Sequence, residues 1–301
     1  MGRMEENFKK LERRIFDSLD NTDLDRINHE LSKINGPTLV SGVGGSSVVS
    51  DFGSKILSIK NNIITRNTEP RDFRYLNIDV YKNVLACSYS GNNYGVELAF
   101  DNNLKHYLLA SKLNDKEGII NLNYVCEDKE KSFISLAATV IPCSILLNYY
   151  LDNKSIIIDS LDNYSFSFDT NCDAYEIFTG YDTSTLSKFL ESTMVESGIA
   201  IPIIHDKYSY CHGRSTLSKV CNNNAIYFDT NTELDRLLIE EIKKYYNEVI
   251  VIRNNGLLNE YSNLIKCLYL TKYIAESKEK DISDVDYNPI VKKLYKYNGQ
   301  I

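Results

Sequence analysis

PTLVSGVGGSSVVSDFGSKILSIKNNI, residues Pro37 to Ile63, passes from a short apolar run through a glycine-rich turn into a helical pattern. Pro37 to Gly42 reads as a buried-type strand ending in glycine, and Val48 to Ile63 reads as a helix. A glycine turn between strand and helix lets a ligand approach the backbone closely. Free N–H groups at the helix start favour an anion there. Gly44, Ser46 and Ser47 are therefore candidate anion-binding residues. As a dinucleotide fingerprint the match is poor. Ser47 stands where the last glycine of Gly-x-Gly-x-x-Gly belongs, and no acidic residue ends a second strand at the expected distance.

The same unit recurs downstream. Asn83 to Cys87 reads as a buried strand that runs into Ser88-Tyr89-Ser90-Gly91-Asn92-Asn93, with a helix starting near Tyr94. Ser88 and Ser90 either donate hydroxyls to the same anion from a second side or belong to an ordinary capped helix start. Between the two units, Thr65 to Asp79 is polar and reads as a connection. Strands are predicted at His106–Ser111 and Ile119–Cys126, and a long buried helix at Ser132–Leu151. Upstream, Glu5 to Ile34 gives one or two amphipathic helices. Their buried face runs Phe8, Leu11, Ile15, Leu19, Leu24, Ile27 and Leu31, with a break and cap at Asn21-Thr22-Asp23.

Polar pieces at Asp152–Lys154 and Asp159–Asp173 mark a boundary, after which strands and helices alternate again. Strands are predicted at Ala174–Thr179, Ala225–Asp229 and Glu248–Arg253, and helices at Ser215–Cys221, Glu233–Asn247 and Leu257–Ser277. The class is α/β with mostly parallel sheets, divided as an N-terminal helical segment (1–34) and two α/β halves (35–158 and 159–301). In such sheets ligands bind beyond the carboxyl ends of the strands, where the Gly/Ser turns gather.

Within the second half, Leu186 to Leu217 reads LSKFLESTMVESGIAIPIIHDKYSYCHGRSTL. Leu186, Phe189, Leu190, Thr193 and Met194 recur at helical spacing, Gly198 stops the helix, and a short apolar strand leads to a His-Gly-Arg turn. Glu196 falls in the last helical turn, against the negative end of the helix dipole. A carboxylate there ionises less readily, which suits proton transfer near neutral pH. The alternative is a solvated glutamate. Glu191 precedes it by five residues, ~140° around a helix, so the two are not expected to pair on one face. Glu191 then reads as structural or as a ligand-orienting group. His212 follows Tyr208, Tyr210 and Cys211 and is either a packing residue or a functional one. Arg214 either binds a second anionic group bidentately or holds the turn.

Composition narrows the partners. Hydrophobic residues make up 43% and charged residues 25%, ordinary for a globular protein. With 34 basic against 41 acidic residues the net charge is −7, which argues against nucleic acid as the main partner. The seven cysteines form no Cys-x-x-Cys and are odd in number, as expected of reduced thiols in a cytoplasmic protein. No His/Cys/Asp set has metal-ligand spacing. The charged N-terminus, MGRMEENFKKLERR, does not read as a secretory signal, and no apolar run approaches a membrane span.

Together these residues resemble the sugar isomerase (SIS) family of phosphosugar-binding domains, present twice over about Ile34 to the C-terminus. Gly42 to Ser46 is similar to its Gly-x-Gly-x-Ser turn. Ser88 to Asn93 is similar to its Ser-x-Ser-Gly-x-Thr turn, with Asn93 in place of threonine. Isomerising members carry a glutamate sixteen positions before the histidine of a His-Gly pair, the spacing of Glu196 and His212-Gly213. The resemblance implies two three-layer αβα subdomains of flavodoxin type. It implies Glu196 as the base moving a proton between C1 and C2 of a sugar phosphate, and His212, contributed across a homodimer interface, as the ring-opening group. Phosphate would be held mainly by Ser46, Ser88 and Ser90, with Asn93 as a substituted member, and no cofactor is implied. Arg214 departs from the proline of the glucosamine-synthesising enzymes, a glutaminase domain is lacking, and the tail Val285–Ile301 matches no lysine-bearing tail. The expected function is aldose–ketose isomerisation, or deaminase- or deglycase-type chemistry, on a phosphorylated sugar or amino sugar. The alternative is a non-catalytic sugar-phosphate sensor. A third possibility is a pathway component handling another phosphorylated metabolite.

Overall fold

The computed structural model describes residues 2–159, 164–172, 174–219 and 222–287. Cys221 and the tail beyond Tyr287 lie outside the described residues, as does part of the polar boundary piece.

Three helices open the chain: α1 (Arg3–Lys9), α2 (Leu11–Asn21) and α3 (Leu24–Ser32). The Asp23 side chain accepts from Arg26 N and starts α3, as the break at Asn21-Thr22-Asp23 suggests. The first α/β unit then runs β1 (Thr38–Ser41), α4 (Gly45–Lys60), β2 (Thr65–Asn67), β3 (Asn83–Cys87), α5 (Tyr94–Ala99), β4 (Lys105–Ala110), β5 (Ile119–Asn123) and α6 (Ala137–Leu151). After α7 (Lys154–Asp159) the second unit runs β6 (Ala174–Thr179), α8 (Ser184–Ser197), β7 (Ile201–Asp206), α9 (Lys207–Cys211), β8 (Asn224–Asp229), α10 (Glu233–Ile242), β9 (Val249–Arg253) and α11 (Leu257–Ser277).

Both sheets are parallel throughout, with orders β2-β1-β3-β4-β5 and β7-β6-β8-β9. Each reverses direction next to its first strand. In the first sheet that switch point lies between β1 and β3, whose following turns are Gly42–Ser47 and Ser88–Asn93. A ligand crevice is expected at such a point. The class read from the alternating pattern is thus the class observed.

Three local readings are corrected. Thr65 to Asp79 is not a bare connection. It holds edge strand β2 and two 3₁₀ turns, Pro70–Tyr75 and Ile78–Val80. Thr-Arg-Asn has no apolar alternation, because β2 pairs only with β1 and stays partly open. The long helix starts at Ala137 rather than Ser132, where Glu130 receives the backbone N–H groups of Leu136, Ala137 and Ala138 at 2.8–3.1 Å. The helical run read at Ser215–Cys221 is 3₁₀ and begins at Arg214, running to Lys219 among the described residues.

The core joins the two units. α4 packs against α6 and α8, and α11 packs against α8 and α6. One buried cluster runs from Met4 through Phe52, Ile145, Phe189 and Leu268 to Ile282. α6, AATVIPCSILLNYYL, is apolar on every side because it is enclosed between these layers. On α8 the expected stripe of Leu186, Phe189, Leu190, Thr193 and Met194 is buried, and Gly198 ends the helix in the left-handed conformation at φ +62°. Among the described cysteines all six are free: Cys87, Cys143 and Cys267 are buried, Cys126 and Cys172 half-buried, and Cys211 exposed. No described helix is long and apolar enough to cross a membrane.

Candidate functional site

The glycine loop is built to be tight. A Cβ on Gly42 would lie 2.1 Å from the Ser46 carbonyl oxygen, so no side chain fits. Gly44 adopts φ +58° and ψ −133°, a region open only to glycine without strain. Ser46 N donates to the Val43 carbonyl and Ser47 N to the Gly44 carbonyl, which closes the turn at the start of α4. Val43 in the loop leans on the start of α5, directly after the second turn: a Cβ on Gly95 would sit 2.8 Å from Val43 Cγ2. The two turns therefore abut at the switch point.

In the second turn the Ser88 hydroxyl accepts from Gly91 N (3.2 Å) and from Asn93 Nδ2 (3.0 Å), and is buried. Asn93 Oδ1 accepts from Val96 N and caps α5. Ser88 and Asn93 thus hold the loop in shape, while the half-buried Ser90 hydroxyl makes no hydrogen bond to another described residue.

Opposite the glycine loop stands α8. A cavity of 380 Å³ is lined on one wall by Gly42, Val43, Gly44 and Ser47, on its floor by Asn67, Thr68 and Glu69, and on the other wall by Lys188, Glu191, Ser192, Val195 and Glu196. Glu196 faces the loop: a Cβ on Gly44 would lie 3.9 Å from Glu196 Oε1. That oxygen accepts from Ser192 Oγ at 2.9 Å. Glu196 is exposed as a residue, and partial desolvation of its carboxyl pushes it up. The Ser192 hydrogen bond opposes this, and the negative Glu191 adds to it.

A buried carboxylate fixes α8 against the first unit. Asp51, on α4, accepts from Ser184 Oγ (2.6 Å), Thr185 Oγ1 (2.9 Å) and Lys188 Nζ (2.7 Å) in the first turns of α8, and from Asn67 Nδ2 (3.0 Å) on β2. Burial opposes its ionisation, but Lys55 and Lys188 with the Ser184 hydroxyl hold its carboxyl down at about 2. Lys55 Nζ also lies 2.5 Å from Glu260 Oε1 on α11. Glu260 is pushed up to about 7 by burial, which Lys55, shared with Asp51, only partly offsets.

Gly44, Ser47 and Glu196 therefore meet in one cleft. Ser46 lies within the same loop, and Ser88, Ser90 and Asn93 lie on the abutting one, outside the cavity wall. His212 and Arg214 are exposed in and after the turn that follows α9 and do not line the cleft. Glu191 does line it beside Glu196, contrary to the angular argument. The cleft is lined by Lys188, Glu191, Ser192, Val195 and Glu196, more than one face of α8. Sequence reasoning missed Asp51, Lys188 and Glu130. The signal available was Asp51 and Lys55 at i, i+4 among the apolar residues Val48, Val49, Phe52, Ile56 and Leu57, and Lys188, Ser192 and Glu196 at four-residue steps.

No family model and no curated protein matches the chain. The fold is that of solved phosphosugar isomerase structures. Tagatose-6-phosphate ketose/aldose isomerase from Escherichia coli aligns over 95% of this chain and 96% of its own, with a TM-score of 0.75 at 14% identity. Glucosamine-6-phosphate deaminase from Thermotoga maritima aligns over 92% and 98%, with a TM-score of 0.69 at 14% identity. The C-terminal domain of glucosamine-fructose-6-phosphate aminotransferase from Francisella tularensis aligns over 94% and 98%, with a TM-score of 0.71 at 11% identity.

Proposed function

We propose that the chain binds a phosphorylated sugar in the cleft between the glycine loop and α8 and isomerises it between aldose and ketose. The observation that carries this reading is Glu196 Oε1 facing Gly44 across the cleft. The phosphate takes the N-terminal end of α4, with the Ser90 hydroxyl of the abutting turn reaching it from outside the cavity wall, which places the sugar's carbon chain toward α8. Glu196 then removes the proton from one of C1 and C2 and returns it to the other through an enediol. Its raised pKa suits both directions of transfer. His212 acts in ring opening from a second copy in a homodimer, and the protein works in the cytoplasm. Related deaminase or deglycase chemistry uses the same base. Glu196→Gln tests the proposal: turnover of hexose phosphates is expected to fall by ~10²–10⁴-fold with sugar-phosphate affinity kept. Unchanged turnover would reject it.

A second reading, a non-catalytic sugar-phosphate sensor, is favoured by His212 and Arg214 standing exposed outside the cleft wall. Wild-type binding without turnover across the common hexose phosphates, aldose and ketose alike, would establish it.

A further inference from the structure

The hydroxyl side chains of α8 divide by what they bond. Ser184 and Thr185 donate to Asp51. Ser187, Thr193 and Ser197 bond back to carbonyls of α8 itself, the usual resort of a hydroxyl inside a helix. Ser192 turns the other way. Its Oγ donates forward over one turn to Glu196 Oε1 at 2.9 Å, and it makes no other hydrogen bond with a described residue. Both residues line the cleft. Oε1 is also the Glu196 oxygen that faces Gly44, while Oε2 makes no hydrogen bond with a described residue.

An exposed glutamate turns about three side-chain torsions, and a base that moves a proton between neighbouring carbons needs its carboxyl held in one place. We infer that Ser192 is a positioning residue for Glu196: its hydroxyl fixes Oε1 over the glycine loop and leaves Oε2 as the oxygen that takes and returns the proton. The inference rests on the reading of Glu196 as the base and adds a residue that acts through it. The Ser192 O–H stays on Oε1 whether Oε2 is bare or protonated, and it holds the ionised form more strongly. It thus works against the partial desolvation and the Glu191 charge that push the carboxyl up. The other charges around the cleft are committed elsewhere. Lys188 is bound to Asp51, Glu69 on the floor to Arg71, and Lys280, beyond the helix end, to the Gly198 carbonyl. The facing wall of Gly42, Val43, Gly44 and Ser47 carries no titratable side chain.

Carbon-13 NMR of the Glu196 carboxyl, assigned by its loss in Glu196→Gln and followed with pH on the whole chain, tests this beside kcat/KM for hexose phosphate isomerisation. Ser192→Ala is expected to move the titration midpoint up by about half to one pH unit. The acidic limb of the kcat/KM profile should move with it, and kcat on the plateau should fall about three- to tenfold. Ser192→Thr, which keeps the hydroxyl, is expected to restore both. The melting temperature of Ser192→Ala should not fall, since alanine is the better helix former; a merely structural serine would lower it and leave the midpoint in place. An unmoved midpoint, or one shifted equally in Ser192→Thr, would overturn the inference and leave Glu196 as the base. Undiminished turnover in Glu196→Gln, or none in the wild type, would remove the base reading itself, and the inference with it.

Discussion

Gly44 and Ser88 sit at the two turns of the switch point, and each makes a separable claim. Gly44 has a backbone conformation closed to other residues, while a Cβ there would make only ordinary contact with Glu196. Gly44→Ala should therefore act through backbone strain, costing ~1–3 kcal/mol and distorting the loop. Lower thermal stability together with weaker phosphate binding is the expected pair of readouts. Ser88 and Ser90 are expected to differ. Ser88→Ala leaves Gly91 N and the Asn93 amide without their acceptor and should destabilise by ~1–3 kcal/mol in denaturant unfolding. Ser90→Ala breaks no hydrogen bond to a described residue, so it should weaken ligand binding at unchanged stability. Much at this scale was legible. The strand–glycine–helix step and the Gly198 stop place Gly44 and Glu196 without reference to any distant residue. Glu191 was misplaced because a helical wheel measures angles about one axis and not the width of the groove that faces it.

α8 carries the proposed base, and Asp51 sets where α8 lies. The depressed carboxyl makes this clamp pH-dependent with a definite sign. Asp51's contribution, about 2 kcal/mol from the size of its shift, is complete above its ordinary value of 3.8 and is lost as pH falls toward about 2. Glu260 runs the other way. Its folded value of about 7 lies above the ordinary 4.5, so its contribution is complete below 4.5 and is lost as pH rises through 7. Folding free energy measured by urea unfolding is expected to peak between these limits, and Glu260→Gln should flatten the alkaline limb. A plateau extending undiminished above pH 7 in the wild type would contradict the assignment. None of this clamp was readable in advance, because its partners come from α4, β2, α8 and α11 and share no local pattern. β2 was missed for a related reason: three polar residues on an edge carry no alternation.

The whole molecule has two sheets but one principal core. The first sheet spans residues 38–123 and the second 174–253, on either side of the expected boundary, yet the helices between them bury one another. Far-UV dichroism and tyrosine fluorescence should therefore report a single coincident unfolding transition, and 1–158 and 159–301 made separately should not fold. Leu190→Ala, at the centre of the shared layer, should cost ~2–5 kcal/mol and shift both signals together. Alternating strands and helices revealed two sheets; only α6, apolar on all sides, hinted that the halves share their interior. Cys211 adds a practical consequence. It is the exposed thiol among the described cysteines and stands next to His212. With Cys126, Cys172 and Cys221 replaced by serine, a nitroxide attached there under mild conditions becomes a spectroscopic ruler, since buried thiols such as Cys87, raised to about 12, react slowly. Dipolar broadening between two nitroxides in a dimer would then read the separation of the two histidine turns.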